Sequence, residues 1–420
     1  MSVDDLDQAA AEQIIESLRR GVPPRHGVSR YATGTDFAEK VRDRHLSKEI
    51  NAGKIRFVGG SWGAGKTHFF RLLREYAFDK NLLVSNVELT SEQTPFNKFE
   101  RVFFEIVRNI ASPTMYRTFD LSAALPFGEV LREVLDRWTE NYGSKHAAIE
   151  ALNSELMQQI DIDIDFRRVV VEYWKTFGED GRAADVLENT RGTLMQWFEG
   201  EGQATALRRD FGVQKMVKKE NARIFLASLG KFVRWLGFRG LLVLLDESEM
   251  SHSTMRKSSL RNAHNNLLHL INEAESVEGL VLLYAAVPEF FDDPKYGIKT
   301  YGALAQRIGA LEAKGPKSLD KVWNIDYLTP DADAYAAAAA KIRDIYEVAY
   351  ADEVDSLPSI KDLSQHIEDV LIEHPEFSRV SSWRVAIKAT IEALDGALEG
   401  EELPAARAHY KSIVSSLEDD

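Results

Sequence analysis

The sequence predicts an α/β fold in which a parallel sheet carries a large helical insertion and is followed by a C-terminal helical lid domain. Three observations predict it. The apolar run Lys54-Ile55-Arg56-Phe57-Val58 leads into Gly60-Ser61-Trp62-Gly63-Ala64-Gly65-Lys66-Thr67 and then into a helical pattern from His68. Five aliphatics, Leu241 to Leu245, end in the acids Asp246 and Glu247. Beyond Pro330 every periodic segment has helical spacing.

Composition narrows the class. The 420 residues suffice for two or three domains, and 44% hydrophobic content supports a sizeable core. No apolar run approaches the ~18 residues of a membrane span. The acidic start Met1-Ser2-Val3-Asp4-Asp5 lacks an apolar signal region, and there are no cysteines, so disulfides, thiolate zinc sites and cysteine nucleophiles are excluded together. A reducing, cytoplasmic setting is the expectation. A net charge of −14 argues against a surface broadly coated for nucleic acid.

Along the chain, Asp5 to Arg20 reads as an amphipathic helix with Ala9, Ile14, Ile15 and Leu18 apolar, and Asp4, Asp5 and Asp7 placed well at its start. Gly21-Val22-Pro23-Pro24 ends it. A second helix is expected over Thr35 to Ile50, stopped by Asn51-Ala52-Gly53, and these two helices are placed to cover a bound base or the sheet edge. The first strand follows, then the glycine-rich stretch, which fits G-x-x-x-x-G-K-[ST] and makes the core a P-loop NTPase sheet. Glycines let a phosphate chain approach the backbone, and a helix N-terminus offers N–H groups to it. Gly60, Ser61, Trp62, Gly63, Ala64, Gly65, Lys66, Thr67 and His68 are therefore the candidate nucleotide contacts. Lys66 would reach the terminal phosphates and Thr67 would ligate magnesium. Phe69, Phe70, Leu72, Leu73 and Tyr76 form one face of the helix. Trp62 is unusual in such a loop and is expected either to shield the phosphates or to pack on the N-terminal helices.

Asn81 to Leu89 reads as a second strand, and Pro95 opens a helix through Phe104 and Ile110. From Ser112 to about Gly240 the pattern is helical, broken by turns such as Asn141-Tyr142-Gly143 and Gly178-Glu179-Asp180-Gly181, with no fixed-period repeat. Asp161-Ile162-Asp163-Ile164-Asp165 alternates, but without a glycine-centred ligand loop its carboxylates are expected on an exposed surface rather than around calcium. Arg208, Arg209, Lys215, Lys218, Lys219, Arg223, Lys231, Arg234 and Arg239 are opposed locally only by Asp210 and Glu220. They fit either a solvated helical face or contact with nucleic acid or an acidic partner.

Leu241 to Glu247 has the pattern of a buried parallel strand delivering carboxylates at its C-terminal end, where open α/β sheets bind ligands. After a phosphate loop, this assigns Asp246 to the magnesium shell and Glu247 to the attacking water. A helix over Thr254 to Ser276 and a strand over Gly279 to Val287 follow. Pro288-Glu289-Phe290-Phe291-Asp292-Asp293-Pro294 is then a loop on the ligand side. A helix near Tyr301 to Leu311 holds Arg307, and Trp323 to Leu328 suits a fifth strand. Helices are expected over Asp331 to Tyr350, Lys361 to Glu373 and Ser381 to Leu398, with a short one after them. The division is a lead-in (1–53), a core (54–111 and 240–330), an insertion (112–239) and a lid (331–420).

A helical domain after such a sheet is similar to the layout of AAA+ ATPases. More specifically, Glu16-Ser17-Leu18-Arg19-Arg20-Gly21-Val22-Pro23, the Gly60 to Thr67 loop, Arg239-Gly240 with Leu245-Asp246-Glu247, and Pro288-Glu289-Phe290-Phe291-Asp292-Asp293 with Tyr301 and Arg307 resemble the ATP-binding proteins of bacterial BREX phage-defence systems, over roughly residues 10 to 400. Members of that family resemble AAA+ proteins of the origin-recognition type. The phosphate loop with Asp246 and Glu247 makes magnesium–ATP the expected ligand, and a homo-oligomer is expected; the resemblance implies an anti-phage role and work on DNA or with a helicase or other defence-system protein. By position Arg307 resembles the arginine one AAA+ subunit offers to a neighbour's nucleotide, and Arg384 in Ser381-Ser382-Trp383-Arg384 resembles the lid arginine. A surface or salt-bridged arginine is the plain alternative for each. One departure from the pattern is Ala286-Val287, where AAA+ enzymes usually end the strand in a polar residue that positions water.

Two readings are open: an ATPase whose hydrolysis gates assembly on DNA or with a partner, and a non-catalytic ATP-binding scaffold or nucleotide-gated switch. No H-R-D-type segment supports a kinase, no G-x-G-x-x-G a dinucleotide oxidoreductase, and no histidine spacing a zinc site.

Overall fold

The computed structural model describes residues 6–117, 126–178, 181–247, 255–328, 332–375 and 381–418. The N-terminal helices are α1 (Gln8–Arg19), α2 (Val28–Tyr31) and α3 (Asp36–Asp43), the last continuing as a π-helical turn over Arg44–Lys48. Strand β1 (Lys54–Gly59), α4 (Lys66–Asp79), β2 (Leu83–Leu89), α5 (Phe99–Arg108) and β3 (Ile110–Ala111) open the core. Next come α6 (Pro113–Arg117), α7 (Pro126–Tyr142), α8 (Lys145–Met157), α9 (Ile164–Lys175), α10 (Ala184–Phe198), α11 (Ala204–Phe211) and α12 (Ala222–Trp235). The chain returns to the sheet as β4 (Leu241–Glu247), α13 (Lys257–Ser276), β5 (Leu280–Ala286), α14 (Pro288–Asp292), α15 (Gly302–Ile308) and β6 (Val322–Asn324). Helices α16 (Ala332–Ala349), α17 (Ile360–Ile372), α18 (Ser382–Leu398) and α19 (Ala406–Glu418) complete it.

The strands form one sheet in the order β3-β2-β4-β5-β1-β6, parallel throughout except where β3 pairs with β2. All seven residues of β4 and of β5 are buried, as aliphatic strands covered on both faces must be. Side chains alternate strictly. Leu241, Val243, Leu245, Leu280, Leu282 and Tyr284 join the core beneath α5, α12 and α13, which continues into the insertion helices. Leu242, Leu244, Val281 and Leu283 join the opposite core, shared with α4, the N-terminal helices and the C-terminal helices. The sheet therefore lies between two apolar layers, each with its own helices.

Local chemistry explains the better-defined elements. Asp7 caps α1, its Oδ1 accepting from the Ala10 N–H at 2.8 Å, worth about 1 kcal/mol. Arg19 then forks onto Asp395 of α18 at 2.8 and 2.7 Å, while the Tyr346 hydroxyl donates to the same carboxylate at 2.7 Å. Helix α1 is thereby fastened to the C-terminal helices. In the insertion, Phe166 packs on Phe232 with ring centroids 5.2 Å apart, and the indole N–H groups of Trp174 and Trp197 donate to the Leu131 and Lys215 carbonyls.

Several expectations need correction. The helix expected through Ile110 ends at Arg108, and Ile110–Ala111 pairs antiparallel with β2. The segment Thr35 to Ile50 is a shorter α-helix plus a π-helical turn, and Pro288–Asp292 is a helix with proline at its start rather than a loop. The fifth strand stops at Asn324 and gives way to a 3-10 turn, Ile325–Tyr327. Asp165 is not on an exposed surface: it is fully buried and accepts from the Gln214 and Lys215 N–H groups at 3.0 and 2.9 Å. Glu179, Asp180, Pro330 and Asp331 lie outside the described residues, as do Asp4 and Asp5.

The basic stretch does not form one free face. Arg209 pairs with Asp210 and Lys215 with Asp163, Arg223 bonds Asn266, Arg234 bonds Asn51, and Arg239 donates to the Ser47 carbonyl.

Candidate functional site

The register aligns the strand ends. Gly59 faces Ala286, Asp246 faces Ala285, and Leu89 faces Glu247. The glycine-rich loop leaves β1 at that edge and turns into α4. Its first N–H, from Gly60, donates to the Ala286 carbonyl at 3.3 Å, so the loop is pinned to β5. Gly63 and Gly65 have φ of 78° and 93°, the left-handed region that disfavours side chains. A Cβ on Gly65 would meet nothing within 4 Å, so the loop's inner side is open. Helix α4 starts at Lys66, and the N–H groups of its first turn have no helical acceptor and carry the positive end of the helix dipole.

Strand pleat then decides which acid goes where. Asp246 falls on the same side as Leu242 and Leu244, the side of α4, and its Oδ2 accepts from Thr67 Oγ1 at 2.7 Å. Glu247 falls on the opposite side with Leu245 and is only 2% exposed; the buried Tyr284 hydroxyl donates to its Oε2 at 3.3 Å. Two adjacent carboxylates are thus separated by the sheet's own alternation.

The charges at this edge are poorly solvated. Burial raises the Asp246 pKa above the usual carboxylate value, against the Thr67 hydrogen bond and Lys66, which lower it. Burial lowers the Lys66 ammonium, against Asp246, Asp326, Glu247 and Glu289, which raise it. Lys66 Nζ donates to the Gly60 and Ser61 carbonyls at 2.6 and 2.9 Å and lies 5.9 Å from the Trp62 ring centroid. A phosphate anion would favour the charged ammonium, and a divalent cation the charged carboxylate. Oxygen donors from Thr67 and Asp246 suit a hard cation such as magnesium. The residues present therefore fit a magnesium–nucleotide.

Arg384 is brought to the loop. From α18 it lies across Gly63, whose Cβ position would be 3.3 Å from Arg384 Cδ and 3.8 Å from its Nε. Arg307 is not: it is tied to α13, donating to Glu275 at 2.6 Å and Asn272 at 3.2 Å, and Lys321 shares Glu275 at 2.9 Å. His68 is half-buried with its ring 5.6 Å from Tyr31 of α2, and burial pushes its pKa down to about 4. Trp62 is 54% exposed, so it is not buried against the N-terminal helices. Ala286 and Val287 are buried and bring no polar side chain to the end of β5.

Two residues at this edge escaped sequence reasoning. Asp326, just past β6, grips Ser61 by three bonds: both carboxylate oxygens accept from the N–H at 3.0 Å, and Oδ2 accepts from the hydroxyl at 2.9 Å. Tyr284 is the other; its signal is a lone hydroxyl in an otherwise aliphatic strand.

An α/β sheet with a glycine-rich turn into a helix, and a carboxylate tied to that helix's first hydroxyl, has the make-up of a mononucleotide-binding protein. The family model for the BREX system ATP-binding protein BrxC/D matches residues 6–412, nearly the whole chain. The protein belongs to this family, which supports ATP binding in phage defence. No curated protein and no solved structure matches the chain. Among the described residues, no helix is long and apolar enough to cross a membrane.

Proposed function

We propose that the loop Gly60–Thr67, with Asp246 and Glu247, binds magnesium–ATP and hydrolyses it, making the protein an AAA+-like ATPase of BREX defence. The observation that carries this reading is the 2.7 Å contact between Thr67 and Asp246, which joins two motifs 179 positions apart at one point. Bound magnesium would neutralise charge on the phosphates. The chain's own residues do the rest. Gly63 and Gly65 admit the phosphates, the first turn of α4 and Lys66 hold them, and Arg384 reaches the same loop from the C-terminal helices. Glu247, buried and bonded to Tyr284, is the group that orients and deprotonates the attacking water. Strand order supports the reading: β5 between β1 and β4 keeps the loop and Asp246 two strands apart yet in contact through α4.

On this reading, nucleotide occupancy sets the position of the C-terminal helices through Arg384 and gates assembly on DNA or with a partner defence protein. Arg307 serves a neighbouring subunit's nucleotide only after leaving Glu275. The test is a Glu247→Gln variant, which should keep ATP affinity within about threefold while turnover falls by about 100-fold. Turnover equal to the parent's would remove Glu247 from the reaction.

A second reading, a nucleotide-gated switch with little or no turnover, is favoured by Ala286 and Val287. In that case the parent chain itself shows ATP binding without turnover, with or without DNA.

A further inference from the structure

A cavity of about 970 Å³ lies between α1, the segment 22–30, the outer side of α4 and Tyr116 of α6. No residue of the loop 60–68 lines it. It is a feature distinct from the loop, although Arg71 on its wall and Asp246 act on each other electrostatically.

Its walls are rich in arginine. Arg25, Arg30 and Arg71 line it, with Arg74 beside them. Among the described residues Arg71 makes no hydrogen bond or ion pair, although it is half-buried. Burial, together with the like charges of Arg74 and Arg25, lowers its pKa, against Tyr31 and Asp246, which raise it. Asp7, Glu12, Glu16, Glu75 and Asp79 share the walls; of these Glu75 is committed to the backbone, accepting from the Val28 and Ser29 N–H groups at 2.8 and 2.9 Å, Asp7 caps α1, and Glu16 pairs with Arg19 and Arg20. A poorly solvated guanidinium that makes no direct ion pair is costly to keep unless an anion uses it.

The same wall is aromatic. His26 stacks on Tyr116 with centroids 4.7 Å apart at 25°, and Tyr116 stacks on Phe78 at 4.7 Å and 27°. The Arg74 guanidinium lies 5.8 Å from the Tyr116 ring centroid. Arginines beside stacked rings are what proteins use to hold a phosphate and its base together. The volume is that of a small-ligand site.

From this juxtaposition we infer that the cavity binds a nucleotide 5′-phosphate, with the phosphate on Arg71 and Arg25 and the base against His26, the accessible end of the His26–Tyr116–Phe78 stack. The nucleotide is either free or the 5′ end of a single strand; the chemistry is shared.

The test uses the full chain carrying Lys66→Ala, which disables the phosphate loop. Uridine 5′-monophosphate, a 5′-phosphorylated ten-residue thymidine strand and the same strand without the phosphate are titrated by calorimetry. Saturable binding of the mononucleotide or the phosphorylated strand, weakened about tenfold or more by adding Arg71→Gln, supports the inference. Binding of the mononucleotide alone assigns the site to free nucleotides, and binding of the phosphorylated strand assigns it to strand ends. If Arg71→Gln lowers the melting temperature, Arg25→Gln at the exposed rim carries the same comparison. No saturable binding of either phosphorylated probe, equal binding of the two strands, or binding indifferent to both arginine changes would overturn it.

Discussion

Thr67 Oγ1 donates to Asp246 Oδ2 at 2.7 Å, linking the first turn of α4 to the end of β4. The bond is charge-assisted and the acid is poorly solvated, so its net worth is about 1.5–3 kcal/mol. In Thr67→Ala the hydroxyl is lost from both the carboxylate and the cation. Magnesium-dependent ATP affinity should fall by about tenfold or more, since 1.4 kcal/mol is a factor of ten. Calorimetric titrations with magnesium and with a chelator should differ strongly for the parent and little for the variant. An unchanged magnesium dependence would separate Thr67 from the cation.

Arg384 lies over Gly63 and comes from a helix otherwise packed on the C-terminal layer. A cation there adds most where negative charge is greatest, at a third phosphate. Arg384→Ala should therefore weaken ATP by about tenfold and ADP by less than about threefold. Competition titrations of the two nucleotides read the ratio, and equal losses would contradict a contact with the terminal phosphate.

Stability should depend on acid through His45. Its side chain is 1% exposed, and Nε2–H donates to the Ser318 carbonyl at 2.6 Å. Burial pushes its pKa down to about 4 against that bond, while an unfolded histidine titrates near 6.5. Protonation thus favours the unfolded chain. This contribution is complete above about pH 6.5, is lost as pH falls from there to about 4, and amounts to about 3 kcal/mol. His26 and His68, also pushed down to about 4, act in the same window. Urea midpoints measured between pH 7 and 4.5 should fall, and a His45→Phe variant should show a shallower fall.

What the sequence made legible is local or periodic. β1, the glycine-rich loop, α4 and the aliphatic strand ending in Asp246 and Glu247 are each written in a few consecutive residues, and their order carries the fold. What escaped it depends on distant partners. Asp326 reads as an ordinary strand-end acid until the chain returns β6 beside β1 and sets it on Ser61, 265 positions earlier. Tyr284 reads as core, and the direction of its hydroxyl emerges only from pairing β5 with β4. Asp165 looks exposed because alternation with isoleucine mimics a surface strand; its burial comes from the Gln214 and Lys215 N–H groups, which close on it from another segment. β3 was hidden because its two apolar residues continue the helical spacing of α5, and only the antiparallel partner β2 distinguishes them. Arg384 and Arg307, alike in sequence terms, part company in space: one lies on the loop and the other in an ion pair with Glu275.

The central claim is that Gly60–Thr67 and Asp246 form the magnesium–ATP site, and Lys66 is its most exposed dependency. Titration of ATP with magnesium into the parent chain and into Lys66→Ala tests it most directly. The account predicts saturable binding by the parent and a loss of about 100-fold or more in the variant. ATP binding of equal strength by both proteins would contradict it.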